Sequence, residues 1–224
     1  MDKEGTNILP HHPGMEVHSE NHVAMKLNIV CVAFERTIPL RILLDSLLVQ
    51  TDARWDIKII HDGPASKKVK DIVGLPCYTA DPRINFTESP ARYGKWGHPN
   101  RKNGLSGLAY NHSDFVLITN DDNYYVPMFV EIMLRTANSR AGKVGMVYCD
   151  TVHSYQKYSV LSSRIAVGSI DMGSFIVRND IAKKVGFVHN QIDADGMYAS
   201  ECAAFCRKIK LAAVHVEKPL FVHN

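Results

Sequence analysis

Asn-Asp-Asp-Asn at 120–123 directly follows the apolar run Phe-Val-Leu-Ile-Thr at 115–119. Asp121 and Asp122 are adjacent like charges that repel each other, and a bound cation relieves that repulsion. Their oxygen atoms suit Mg²⁺ or Mn²⁺, which takes one or two protein carboxylates and lets substrate phosphates complete its shell. Asp and Asn are also common in exposed turns and at helix N-termini, without any ligand. Because this pair ends what reads as a buried strand, we favour the metal site.

Two further polar clusters follow strand-like segments, Phe-Glu-Arg-Thr at 34–37 and His-Asp-Gly-Pro-Ala at 61–65. In an open parallel sheet, ligands bind outside the carboxyl ends of the strands. The three clusters together therefore predict one binding site along that edge of a sheet, which none of them would predict alone.

The elements that must position these clusters follow from hydrophobic periodicity, because apolar β-branched runs alternate with segments of helical spacing. This alternation predicts an α/β fold with a largely parallel sheet. The predicted strands are 27–34, 55–63, 83–88, 114–120 and 144–150. The predicted helices are 38–50, 66–74, a short one near 104–111 after a loop at 89–104, and 127–137. Later we expect a turn, a strand and a short helix over 169–187, a helix with Met197, Cys202, Phe205 and Ile209 as its buried stripe, and a closing strand.

Composition limits the class of protein. The chain has 224 residues, of which 46% are hydrophobic and 22% charged, as expected of one globular domain over 26–224. Residues 1–25 are polar and aperiodic, which predicts a disordered leader. A net charge of +3 without a dense Lys/Arg stripe argues against nucleic acid. No apolar run reaches the roughly 20 residues that span a bilayer, which leaves peripheral membrane contact open. Five scattered cysteines without a C-x-x-C pair favour a reducing, cytoplasmic compartment.

The order of these motifs resembles that of inverting glycosyltransferases of the GT-A fold, the family-2-like group. The similarity rests on four segments and covers about residues 27–224; the segments are NIVCVAFERT, IKIIHDGPA, HPNRKNGL and ITNDDNYYVP. It implies a mostly parallel central sheet flanked by helices. It also implies transfer of a sugar from a nucleotide-diphosphate donor, a UDP-sugar, to the hydroxyl of a glycan or other acceptor.

The resemblance assigns a metal site. Residues 120–122 occupy the Asp-x-Asp positions of such enzymes, so Asp122 would bind Mn²⁺ or Mg²⁺. Asn120 stands where an Asp often contacts the ribose, and Asp121 is the substitute for that contact. A late histidine joins the metal in many GT-A enzymes, and His223 fits by position, whereas His215 reads as structural.

The resemblance also assigns the nucleotide pocket. Asp62 corresponds to an acidic residue that hydrogen-bonds a uracil-type base, and His61 replaces a commonly acidic neighbour. Arg101 matches a basic residue near the base and the diphosphate. The backbone that lines the pocket is that of Ala33, Phe34 and Glu35.

The resemblance places the donor-sugar contacts and the general base in the second half of the chain. Gly173 would let the backbone approach the donor sugar closely. Asp171 either contacts a sugar hydroxyl or caps the local turn. The family's base lies near 190–209, where Asp195, Asp193 and Glu201 are the candidate carboxylates. We favour Asp195, although an ordinary helix N-cap role competes with that assignment.

Two other functions remain open from the sequence. A nucleotidyltransferase would share the α/β pattern and the acidic metal ligands, but the segment Ala-Phe-Glu-Arg-Thr at 33–37 has no glycine for a phosphate loop. A non-catalytic nucleotide- or carbohydrate-binding module is the third reading, because Asn120 replaces an acidic residue.

Overall fold

A computed structural model describes residues 25–109 and 111–224; the predicted leader lies outside them, apart from its last residue. Within them the strands are β1 (Leu27–Ala33), β2 (Trp55–His61), β3 (Ile84–Glu88), β4 (Phe115–Asn120), β5 (Asn123–Tyr125), β6 (Val144–His153), β7 (Ser159–Leu161), β8 (Phe175–Arg178) and β9 (Ala212–His223). The helices are α1 (Thr37–Leu48), α2 (Lys67–Val73), α3 (Pro76–Thr79), α4 (His98–Ser106), α5 (Phe129–Ala137), α6 (Asn179–Val185) and α7 (Ala194–Lys208). None of these helices is long and apolar enough to cross a bilayer.

One sheet runs through the molecule in the order β3-β2-β1-β4-β8-β6-β9-β5, with β7 attached to β6. The first four strands of that order are parallel. Beyond them, β8 is antiparallel to both β4 and β6, while β6 and β9 are parallel. The predicted α/β fold is confirmed, and the predicted parallel pairing describes the first half of the sheet.

The sheet is buried on both faces, as parallel sheets usually are. Side chains alternate along a strand, so Ile29 and Cys31 of β1 pack on the α1 and α5 side, while Val30 packs on the opposite side with α7. A fully buried side chain of this size contributes about 1.5–3 kcal/mol. The thiols of Cys31, Cys149, Cys202 and Cys206 are buried in this core, whereas Cys77 is exposed.

Helix α4 corrects the predicted helix near 104–111, since it begins at His98 and ends at Ser106. Gly97 precedes it with φ 79, and Pro99 lies in the first turn, where proline is favoured. The apolar pattern of this segment is weak. Gly97 and Pro99 indicate the start of the helix better than hydrophobic periodicity does. The predicted loop is therefore shorter than 89–104.

Helix α7 buries a different stripe from the predicted one. Its buried residues are Ala194, Gly196, Tyr198, Ala199, Cys202, Ala203 and Cys206. Of the predicted stripe only Cys202 is buried; Met197 and Phe205 are half-buried, and Ile209 is 39% exposed. The small side chains let the helix pack closely, which a search for large apolar residues overlooks.

Short strands near the polar clusters were not predicted. β5 and β7 each have three residues, too few to show an alternating pattern. β6 also continues past its predicted end at Asp150 to His153. These segments bring the end of the chain to the acidic cluster, because His223 of β9 pairs with Asn123 of β5 and with His153 of β6.

Candidate active site

The turn after β1 connects the three polar clusters. The Phe34 amide donates to Oδ2 of Asp121 at 2.9 Å, and the Glu35 amide donates to Nε2 of His61 at 3.2 Å. The other ring nitrogen of His61 lies 2.8 Å from the Gly63 carbonyl, which places the proton on Nδ1. Glu35 has φ 55, a left-handed conformation uncommon outside glycine. The clusters therefore meet at one edge, as predicted.

Asp62 holds the loop that covers this edge. Its Oδ1 accepts hydrogen bonds at 2.9 Å from the Tyr93 amide and from Nδ2 of Asn100, and its Oδ2 accepts one at 2.9 Å from the Gly94 amide. Its own amide donates to the Ala33 carbonyl at 2.9 Å. The structure thus gives Asp62 a positioning role, and its contact with a base stays a prediction.

The aspartate pair after β4 is held by an arginine that the sequence reading missed. Burial raises the pKa of Asp121 to about 7, although the Phe34 amide and the Arg36 charge act against that rise. Asp122 contacts Arg36 through Oδ2, while its Oδ1 is buried and has no hydrogen-bond partner among the described residues. Arg36 belongs to the polar cluster 34–37, which was predicted to lie at the same edge as the aspartates. Its pairing with them could have been expected from that position.

A second acidic group lies beside this pair. Oδ2 of Asp171 lies 2.8 Å from Nδ1 of His223, and its Oδ1 accepts a hydrogen bond from the Gly173 amide at 2.9 Å. The turn-capping role of Asp171 is therefore confirmed. The ring of His153 stacks on that of His223, with centroids 4.3 Å apart and an angle of 10°. One donor atom from each of Asp171, His153 and His223 lies within 4.8 Å of the others.

Three carboxylates lie close enough to His223 to change its pKa. Burial lowers the pKa of His223, but the carboxylates of Asp171, Asp122 and Asp195 raise it, and the net pKa is raised. Burial raises the pKa of Asp171, but the close contact and charge interaction with His223 lower it, and the net pKa is lowered.

The donors of this region fit a divalent cation. Nδ1 of His223 makes no hydrogen bond of regular geometry among the described residues, despite lying close to Asp171, and Oδ1 of Asp122 is unpartnered. Carboxylate oxygen and imidazole nitrogen are ligands that suit Mn²⁺. Of the three residues whose donor atoms lie close together, His223 was predicted as a ligand, whereas His153 and Asp171 were not. Binding of the cation by Asp122 stays a prediction. His153 was not predicted as a ligand, although it lies only three residues beyond the predicted end of its strand at Asp150.

Asp195 reaches the same region from the first turn of α7. Its Oδ2 accepts a hydrogen bond from the Met172 amide at 3.3 Å, and Nη1 of Arg101 lies 3.9 Å from its Oδ1. It does not cap its own helix, because the N-cap position belongs to Asp193. Burial and the Asp171 charge raise the pKa of Asp195, and the Arg101 charge lowers it. The net pKa is about 6.

The alternative bases lie elsewhere. Glu201 follows Asp195 by six residues, a rotation of about 240° around the helix at 3.6 residues per turn. Its Oε1 lies 2.9 Å from Nε2 of His189, and its side chain is 44% exposed. Asp193 is exposed at the helix start. The structure brings only Asp195 of the three to the acidic region, and its role as base stays a prediction.

Arg101 is almost fully buried, with 2% exposure. Its guanidinium contacts Nδ1 of His98 and Oδ1 of Asn120. Burial and the Arg101 charge lower the pKa of His98 to about 4, so its ring is neutral and can accept. Nε2 of His98 lies 3.1 Å from the Gln191 carbonyl. Arg101 is therefore fixed in the wall beside Asp195, and its predicted contact with the nucleotide stays untested.

Gly173 is required by packing inside the protein. A Cβ atom there would lie 2.6 Å from Cε2 of Phe221, closer than real contacts allow. Its carbonyl accepts a hydrogen bond from the Tyr125 hydroxyl at 3.2 Å. The close approach that the glycine permits is that of an aromatic ring, and the approach of a sugar stays a prediction. His215 is also structural, because Nε2 lies 2.8 Å from Oδ1 of Asp150.

A cleft of about 680 Å³ opens beside His153, Asp171 and His223, which we call the metal-donor group. Its walls come from β6, β7 and the segment 162–171, and it reaches His153 and Asp171. Tyr155, which is 84% exposed, and Arg164 also line it.

Comparison with known proteins gives structural matches alone: no protein-family model and no curated protein matches the chain. S. aureus TarS 1–349 superposes with a TM-score of 0.70 at 13% identity, covering 89% of this chain and 60% of that one. TarS 1–349 in complex with UDP-GlcNAc gives 0.66 at 11%, covering 88% and 58%. The mannosyltransferase PcManGT from Pyrobaculum calidifontis, in complex with GDP-Man and Mn²⁺, gives 0.64 at 14%, covering 88% and 56%. The chain thus spans less than two thirds of these proteins and has their GT-A fold.

Proposed function

We propose that this chain is a metal-dependent, inverting glycosyltransferase that moves a sugar from a nucleotide-diphosphate donor, a UDP-sugar, to an acceptor hydroxyl on a glycan. The observation that carries the proposal is the convergence of Asp122, Asp171, Asp195 and His223 at the carboxyl ends of the strands of a GT-A fold. The nucleotide-sugar and Mn²⁺ complexes of the structural neighbours support it.

The nucleotide would occupy the edge formed by the turn after β1 and the end of β2. The Phe34 ring is 36% exposed there, and the Arg92 guanidinium lies 3.8 Å from its centroid, which offers a flat surface for a base. Asp62 remains the proposed partner of a uracil-type base. Asp121 remains the substitute for the ribose contact, because Asn120 Oδ1 is taken by Arg101.

Asp122 and His223 would hold the cation, Mn²⁺ or Mg²⁺, with Asp171 and His153 as further donors. When bound, such an ion neutralises charge that develops on a departing diphosphate. Arg101 lies beside the same carboxylates and fixes the electrostatic environment of Asp195.

Asp195 would act as the general base. The acceptor oxygen bonds to the anomeric carbon as the bond from that carbon to the diphosphate oxygen breaks. The electron pair of the broken bond leaves with the nucleoside diphosphate, and Asp195 takes the hydroxyl proton. One displacement through an oxocarbenium-like transition state inverts the anomeric centre. With its pKa near 6, Asp195 is ionised at neutral pH and poised for this task.

The cleft beside the metal-donor group is the proposed acceptor site. His153 and Asp171 line it, so an acceptor bound there would lie next to the proposed cation. Its lining combines an exposed aromatic ring, Tyr155, with serine hydroxyls at Ser162, Ser163 and Ser169. Such a surface suits the alternating apolar faces and hydroxyls of a glycan.

Donor hydrolysis tests the proposal without knowledge of the acceptor. The protein would be incubated with a panel of UDP- and GDP-sugars and Mn²⁺, and nucleoside diphosphate release would be measured. We expect Asp195→Asn to lower release by ~10²–10⁴-fold, since that is the usual contribution of a general base. Asp193→Asn, two residues away and exposed, is the matched control and should retain the wild-type rate.

Calorimetry with UDP and Mn²⁺ separates catalysis from binding in the same variants. Asp195→Asn should bind the nucleotide as the wild type does. A wild-type rate in that variant would show that Asp195 is not the base. Nucleotide binding by the wild type without any release would instead favour the non-catalytic module, which the neutral Asn120 suggests.

A further inference from the structure

We infer that Arg36 is a displaceable counterion of the metal site, and that its displacement makes divalent cation and nucleotide bind cooperatively. The inference rests on the proposed function, because it concerns how that same site takes up its ligands. It assigns a role to a residue that the resemblance and the sequence motifs left without one.

The contacts of Arg36 place its charge on the proposed ligand. Its Nη1 contacts Oδ2 of Asp122 and lies 3.6 Å from Oδ1 of Asp121. The Arg36 side chain is 52% exposed, whereas those of Asp121 and Asp122 are 5% and 13% exposed. The guanidinium therefore lies on the solvent side of both carboxylates. A cation that approaches Asp122 from solvent meets this like charge first.

Arg36 neutralises the pair incompletely. Oδ1 of Asp122 is buried and accepts no hydrogen bond within the described part of the chain. An unpartnered buried oxygen is unfavourable, and a cation would remove that cost where the guanidinium does not. The acidic pair is thus stabilised by Arg36 but left with capacity for a stronger partner.

The side chain of Arg36 can leave without disturbing the fold. Arg36 is the N-cap residue of α1, and its backbone is fixed by the hydrogen bond from the Leu40 amide at 3.3 Å. Its side chain makes no capping bond, and within 25–109 and 111–224 its ion-pair partners are the two aspartates. The guanidinium is therefore held by its hydrogen bond to Asp122 and by the charges of the two aspartates, on a flexible stem half in solvent.

A nucleotide diphosphate changes this balance. Guanidinium groups pair readily with phosphate oxygens, so the nucleotide gives the displaced Arg36 a new anionic partner. The cation then no longer competes with Arg36 for Asp122. Each ligand lowers the cost of binding the other, and by linkage the effect is reciprocal.

The test compares Mn²⁺ affinity with and without UDP in Arg36→Gln and the wild type, by calorimetry. We expect Arg36→Gln to bind Mn²⁺ alone roughly 5- to 10-fold more tightly, because the competing charge is gone. UDP should enhance Mn²⁺ binding by a correspondingly smaller factor than in the wild type. Arg36→Lys keeps the charge and should retain most of the coupling.

Arg41→Gln is the matched control, since Arg41 lies on the same helix, is 59% exposed and pairs with Asp45 at 3.6 Å. It should behave as the wild type. Asp122→Asn should lose Mn²⁺ binding, which shows that the signal reports this site. Thermal melts of each variant check that the fold is intact.

The outcomes separate the two proposals. If the wild type binds Mn²⁺ and UDP but Arg36→Gln shows unchanged Mn²⁺ affinity and unchanged coupling, the counterion role is wrong while the proposed function stands. If the wild type binds neither Mn²⁺ nor UDP, the proposed function fails and the counterion role fails with it.

Discussion

Arg101 and Asn120 explain a departure from the motif of the resembling enzymes. The two groups in contact with the Arg101 guanidinium, the Asn120 carboxamide and the neutral His98 ring, carry no charge. The first carboxylate near it is Asp195, at 3.9 Å. An aspartate at 120 would pair with Arg101 and cancel its charge. Asparagine therefore leaves the charge of Arg101 directed at Asp195, whose pKa it lowers against the effect of burial.

The pH dependence of turnover tests this pairing. Arg101→Met removes the charge that lowers the pKa of Asp195, so that pKa should rise. A base must be deprotonated to act, and the acidic limb of the kcat/KM profile should move to higher pH by roughly one unit or more. Donor hydrolysis measured from pH 4 to 9 would show the shift, separately from any weakening of nucleotide binding.

Lys102→Met is the control for that measurement, because it removes the same charge from an exposed neighbour on α4. Its acidic limb should coincide with that of the wild type. If the acidic limb of Arg101→Met does not move, Arg101 does not set the ionisation of the proposed base, Asp195.

At the scale of elements, helix α7 packs directly against the backbone of the cleft segment 162–171 at Gly196. A Cβ atom on Gly196 would lie 2.4 Å from Cα of Val167 and 2.9 Å from the Ala166 carbonyl oxygen. Both contacts are with backbone, which cannot rotate away. Because Asp195 is the preceding residue and 162–171 borders the cleft, this contact couples the proposed base to the proposed acceptor site.

Gly196→Ala should therefore destabilise the fold by about 1–3 kcal/mol, as overpacking commonly does. Alanine in a helix is intrinsically better than glycine by up to about 1 kcal/mol, so a net loss shows that the backbone clash dominates. Urea unfolding followed by circular dichroism measures the change. Ser200→Ala, half-buried on the same helix, should change little. A Gly196→Ala variant as stable as the wild type would show that the backbone at 166–167 can shift to make room for the methyl group.

At the scale of the whole molecule, the proposed site draws on both halves of the sheet. The parallel half carries the proposed nucleotide edge and Asp122, while the mixed half carries His153, Asp171 and His223. A ligand that bridges both halves should therefore stabilise the entire domain.

We expect Mn²⁺ with UDP to raise the melting temperature more than either ligand alone. At 100 times the dissociation constant, a ligand stabilises the folded state by about 2.7 kcal/mol. For a domain of this size that corresponds to a rise of roughly 5–10 °C. A thermal-shift assay measures it, and EDTA or Asp122→Asn should remove the metal-dependent part. A rise that EDTA leaves unchanged would contradict the metal site.

The local pattern of the sequence was enough to predict the alternation of strands and helices and the polar clusters at the ends of β1, β2 and β4. The resemblance to GT-A glycosyltransferases, which depends on those motifs, then singled out Asp122, Asp195 and His223. Pairing between distant segments was decided only by the tertiary structure. The register of β9 against β5 and β6 places His223 beside His153. That register follows from which faces are buried, a property of the packed sheet that no single segment carries.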